Sequence, residues 1–223
     1  MEFILIVLIG IVGFIVQSRL QSVFNKYSKV LAPGGMTGRE AAEKMLRDYG
    51  IKDVQVVSVK GRLTDHYNPV NKTLNLSASV YNSNSVAALA VAAHECGHAV
   101  QHAEGYAPLK MRSALVPIVQ FSSTWAQVVL IVGILLINTF PALLYLGIAM
   151  FAMVVLFSFI TLPVEYNASD RALDWLERSN SLSQEQVGQA KITLKWAART
   201  YVVAALSALA TLLYYLGIAR DND

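Results

Sequence analysis

The sequence predicts an α-helical membrane protein with about four transmembrane helices and a small α+β domain. Three observations carry that reading. Hydrophobic residues make up 55% of the chain and charged ones 15%, with a positive mean hydropathy, which is too apolar for an ordinary water-soluble domain of 223 residues. Four segments are apolar enough to be read as spans, the first of them short. Residues 18–112, between the first and second of these, carry the alternation, turn and capping signals of a folded polar unit.

Residues 3–16 (FILIVLIGIVGFIV) have no basic residue before them and no small-residue cleavage site after them. An uncleaved anchor over residues 1–17 is therefore expected, rather than a signal peptide. Thr37-Gly38-Arg39-Glu40 spells a capping box that opens a helix running to about Tyr49, where Gly50 stops it. Residues 54–59 (VQVVSV) read as a strand, Asn68-Pro69 and Asn71 as a turn, and residues 73–77 (TLNLS) as a second strand. Residues 85–93 (SVAALAVAA) are rich in alanine and free of breakers, so they predict a helix, with Asn82, Ser83, Asn84 or Ser85 as its N-cap.

A second span over about 115–137 and a third over 142–162 turn at 138–141, giving a transmembrane hairpin over 113–163. A new helix is expected from Glu165 to about Arg178, inside a helical segment over 164–200. The last span, 201–219, has Tyr201 at one end and Tyr214 and Tyr215 near the other, where interfacial anchors sit. Arg19, Lys26 and Lys29 follow the first span, and Lys110 and Arg112 precede the second. Arg171, Arg178, Lys191, Lys195 and Arg199 lie between the third and fourth. The positive-inside rule puts both long polar segments in the cytoplasm and the uncharged turn outside. The net charge of +3 follows from this topology and gives no reason to expect nucleic acid as a partner.

The most chemical residues of the chain are His94-Glu95-Cys96-Gly97-His98. On a helix, positions i and i+4 share one face, so His94 and His98 can grip one Zn²⁺. Glu95 is turned by about 100° from His94, within reach of a water on the metal, which is the place of a general base. Cys96 faces away, and as the only cysteine it has no internal disulfide partner, so it reads as a small buried residue.

Two histidines do not complete a catalytic zinc site, which has three protein ligands and an open position. Gln101 and Glu104 stand where a one-helix H-E-x-x-H-x-x-G-x-x-H site would need glycine and histidine. His102 is too far along the axis to share an ion easily with His94. Glu165 emerges from the third span on the side that holds the histidines, and it shares a helix face with Ser169 and Ala172, so it is the expected third ligand. His66, in T-D-H-Y-N-P, reads equally well as a donor to an oxyanion or as a turn histidine bonded to Asp65. Tyr67 and Arg171 are further oxyanion candidates. An extended peptide substrate could pair with a free edge of the strand at 73–77.

H-E-C-G-H followed by E-Y-N-A-S resembles the gluzincin pattern of two histidines and a distant glutamate. Residues 61–69 (GRLTDHYNP), Leu76-Ser77, Val80-Tyr81, residues 85–98 and E-Y-N-A-S-x-R-A resemble the YugP-like, or neutral zinc metallopeptidase, family of small bacterial membrane proteases over most of the chain. The resemblance implies a gluzincin-like domain and a multi-pass protein of the bacterial inner membrane. Related gluzincins often carry an aspartate four residues after the zinc glutamate, where it orients a histidine ligand. Here that place is Ser169, with Asp170 one residue on.

The sequence thus predicts a membrane-anchored zinc endopeptidase in which His94, His98 and Glu165 bind Zn²⁺ and Glu95 activates a zinc-bound water. His66, Ser169 and Arg171 are candidates for transition-state or supporting roles. Its partners would be the lipid bilayer and a peptide or membrane-protein substrate; the sequence leaves the oligomeric state open. The alternatives are an intramembrane-cleaving zinc protease and a non-catalytic membrane scaffold that keeps the metal-binding fold.

Overall fold

Each long apolar run folds as a helix, and each helix is longer than the run that predicts it. In the computed structural model, which describes residues 2–61 and 63–222, these are α1 (Glu2–Tyr27), α5 (Ala107–Leu135), α6 (Ala142–Arg178) and α7 (Gln184–Arg220). Among the described residues these four are the helices long and apolar enough to cross a membrane. Arg62 of the GRLTDHYNP stretch lies outside the described residues.

The separate helix expected to begin at Glu165 does not form. Glu165 lies inside α6, and Pro163 sits within that helix rather than at a boundary. A proline removes one i→i−4 hydrogen bond, a loss through which membrane helices can continue.

Between α1 and α5 come α2 (Gly38–Asp48), β1 (Gln55–Val59), β2 (His66–Asn68), β3 (Thr73–Ser77), α3 (Ala78–Tyr81) and α4 (Val86–Glu104). The capping box forms as read: Thr37 accepts from Glu40 N, and the Glu40 carboxylate accepts from Thr37 N at 2.8 Å. Ser85 caps α4 by accepting from Ala88 N, and Gly105, at φ 67°, ends it in the left-handed conformation that glycine adopts at least cost.

The sheet corrects the sequence reading in two respects. His66–Asn68, expected as the approach to a turn, is itself a strand; three residues before a proline are too few for alternation to reveal. The strand order is β1-β3-β2, with β1 parallel and β2 antiparallel to β3. The strand at 73–77 is therefore central and has no free edge.

The chain divides into two compact units. One comprises the described residues of Met1–Ile15, Lys110–Pro163 and Thr200–Asp223, and it packs Leu130, Leu144, Ile148 and Ala219 together. The other comprises Val16–Leu109 and Val164–Arg199. Its core gathers Ala41, Ala42, Met45 and Leu46 from α2, Leu74 and Leu76 from β3, and the alanines of α4. Ala172, Trp175 and Leu176 of α6 complete it. α4 is buried on nearly every side, and its small residues let neighbouring backbones come close.

Candidate metal centre

His94 and His98 project from one face of α4, and the carboxylate of Glu165 on α6 comes between them. Glu165 Oε2 lies 3.2 Å from His94 Nε2 and 3.5 Å from His98 Nε2. The two imidazoles meet nearly edge to face, with centroids 4.9 Å apart. A tetrahedral zinc ion with bonds of about 2.0–2.1 Å spaces its ligand atoms by about 3.3–3.4 Å. The carboxylate–imidazole separations fit that spacing, and the donor set of two imidazoles and a carboxylate suits a catalytic zinc with an open position.

A close helix crossing makes the approach feasible. Gly97, between the two histidines, lies so near α6 that a Cβ there would be 2.6 Å from the Ala168 carbonyl oxygen. Glycine is required at this point because the obstacle is backbone.

The charges of His98 and Glu165 are mutually adjusted. Burial alone would lower His98, but the hydrogen bond and charge of Glu165 hold it above its ordinary value. Glu165, beyond the apolar stretch of α6, would be raised by its burial. Its hydrogen bonds with His94 and His98 overcome this and hold it below the usual carboxylate range.

Glu95 is 8% exposed, on the face of α4 that meets β2. Burial raises its pKa, opposed by the two neighbouring histidines. The Tyr67 main-chain N–H donates to Glu95 Oε2 at 3.1 Å, and the Tyr67 hydroxyl lies 2.8 Å from His102 Nδ1. Tyr67 thus spans two turns of α4. From the sequence, Tyr67 is a candidate only as an oxyanion donor.

The remaining candidates separate. Ser169 is buried, with its hydroxyl 3.1 Å from His94 Nδ1, while Asp170 is exposed. His66 is exposed on β2 and lies 2.8 Å from the Thr64 carbonyl oxygen through Nδ1. It does not bond Asp65, which instead accepts from Ser77 N at 2.7 Å and Ser77 Oγ at 3.1 Å. Arg171 is engaged with two neighbours: Nη2 is 2.7 Å from Glu104 Oε2, and Nε donates to Asn167 Oδ1. One residue was missed. Gln101 is fully buried, with its amide oxygen 3.0 Å from His98 Nδ1. Its position, seven residues after His94 and three after His98, puts it on the ligand face of the helix, a signal present in the sequence.

A family model described as "Putative neutral zinc metallopeptidase" matches residues 2–220, and the chain belongs to that family. It is similar to the "Putative membrane protease YugP" of Bacillus subtilis (strain 168), at 41% identity over 224 residues, 99% of this chain and 98% of the relative. No solved structure matches it. The family and the four long apolar helices agree with a membrane-associated zinc metallopeptidase.

Proposed function

We propose that this chain is a membrane-anchored zinc endopeptidase with a small gluzincin-like domain. The observation that carries the reading is the convergence of His94, His98 and Glu165 at zinc-ligand spacing, with Glu95 one residue from the first histidine. His94 Nε2, His98 Nε2 and a Glu165 carboxylate oxygen would hold the ion. Zinc, when bound, supplies Lewis acidity that makes a water nucleophilic and polarises a scissile carbonyl.

Glu95 takes the proton of the attacking water and returns it to the amine that leaves. A carboxylate raised by burial is a stronger base, and the Tyr67 N–H keeps one of its oxygens in a defined place. Ser169 supports the His94 ring. Main-chain pairing with an extended substrate is closed to β3, which lies enclosed between β1 and β2. The orientation proposed is cytoplasmic, in the bacterial inner membrane, with a peptide or membrane protein as substrate.

The intramembrane alternative gains no support from α4, which is not among the helices long and apolar enough to span. Detergent-purified protein tests the rest, through zinc analysis and digestion of an unselective substrate such as casein. About one zinc per chain is expected, lost in His94→Ala and weakened in Glu165→Gln. Glu95→Gln is expected to keep zinc and lose several orders of magnitude in rate. Folded wild-type protein that carries no zinc when purified from zinc-replete cells would end this reading; zinc-loaded wild type with no hydrolysis of any peptide would favour the scaffold.

A further inference from the structure

Gln101 is a large polar side chain with no exposure, on the helix that carries both histidines. Burying an amide is costly unless its polar atoms are satisfied. Here they are. The amide nitrogen donates to the Val164 main-chain carbonyl at 2.8 Å and to Asn167 Oδ1 at 2.9 Å, and the amide oxygen faces His98 Nδ1 at 3.0 Å.

The sense of each bond is forced by the next. A main-chain carbonyl only accepts, so the Gln101 NH₂ must face Val164 and its oxygen must face His98. An amide oxygen also only accepts, so His98 Nδ1 carries the proton. In the neutral ring that a metal requires, Nε2 is then the nitrogen that gives up its proton, on the side where Glu165 Oε2 stands 3.5 Å away. Asn167 is fixed in the same way: Arg171 Nε donates to its oxygen at 2.8 Å, and Glu104 holds Arg171 in turn. The chain of bonds leaves α4 at Gln101, passes along α6 and returns to α4 at Glu104. The contrast with His94 is chemical. The Ser169 hydroxyl beside that ring can both donate and accept, so it does not dictate a tautomer.

We infer that Gln101 is a positioning residue for the metal, holding His98 as the Nδ1–H tautomer so that Nε2 is presented as a ligand. The inference rests on the zinc reading above. It concerns one side chain that touches neither the ion nor the substrate, and it assigns Arg171 and Glu104 to fixing that side chain through Asn167.

The test compares full-length wild type with Gln101→Met and Gln101→Glu in detergent. Zinc affinity is measured by competition with a chromophoric chelator. The visible spectrum of the Co²⁺-loaded proteins and the thermal unfolding of the metal-free ones are recorded alongside. Methionine keeps the volume and removes the acceptor. Glutamate buried against the Val164 carbonyl and Asn167 Oδ1 is held protonated, so its O–H donates where the amide did and its other oxygen still accepts from Nδ1. Gln101→Met should fold and bind zinc about 10–100-fold more weakly, with a changed Co²⁺ spectrum, while Gln101→Glu should stay within about threefold of wild type.

Wild-type affinity and an unchanged Co²⁺ spectrum in a folded Gln101→Met would overturn the inference. A Gln101→Glu as weak as Gln101→Met would do so too, because the loss would then come from packing. Should Gln101→Met not fold, Gln101→Glu decides alone: near-wild-type affinity supports the role and a large loss refutes it. Wild-type protein that takes up neither metal would overturn the zinc reading and this inference with it.

Discussion

His98 and Glu165 hold one another in their charged forms in the metal-free protein, and this gives the site a pH signature of its own. A raised His98 contributes stability that is complete below its ordinary value of 6.5 and lost as pH rises through its folded value. A depressed Glu165 contributes stability that is complete above its ordinary value of 4.5 and lost as pH falls through its folded value. The two contributions overlap between those values, so metal-free protein should melt at a higher temperature near pH ~6 than near pH ~8. Zinc reverses the sign, because protons compete with the ion for His98 and loaded protein gains stabilisation as they leave. Thermal unfolding at both pH values, with and without a chelator, checks this; the same pH trend in both series would contradict the coupling.

The crossing of α4 and α6 is the element on which the site depends. Gly97→Ala would place a methyl group against the Ala168 backbone, and a backbone cannot rotate away as a side chain can. In an isolated helix the same change stabilises by up to about 1 kcal/mol. Here it should instead destabilise by about 1–3 kcal/mol and weaken zinc, because α6 must shift and carry Glu165 and Ser169 with it. Unfolding and chelator competition on Gly97→Ala measure both, and a more stable variant with unchanged affinity would show that the helices are not so closely set.

For the molecule as a whole, the decisive question is which polar segments share a side of the membrane. Basic residues follow the first span, precede the second and lie between the third and fourth, and the turn at 138–141 has none. Reporters fused after Lys110 and after Ser179 should both read cytoplasmic, and one within 138–141 external. Opposite readings for the first two would be irreconcilable with Glu165 standing 3.2 Å from His94.

Local periodicity made much of this legible before any coordinates. The i, i+4 spacing of His94 and His98, the capping box at Thr37 and the long apolar runs are properties of neighbouring residues, and helical geometry turns them into faces and ends without reference to the rest of the chain. Glu165 could be nominated by its place after the third span, but its meeting with His94, 71 residues away, depends on a helix crossing that Gly97 permits. The central place of β3 was hidden, because strand order lies in hydrogen bonds between distant segments and a three-residue strand has too little pattern to announce itself. The pairing of Arg171 with Glu104 and the turn of Gln101 toward His98 were hidden for a related reason. A polar side chain names what it can bond, and only the packing around it decides which partner is within reach.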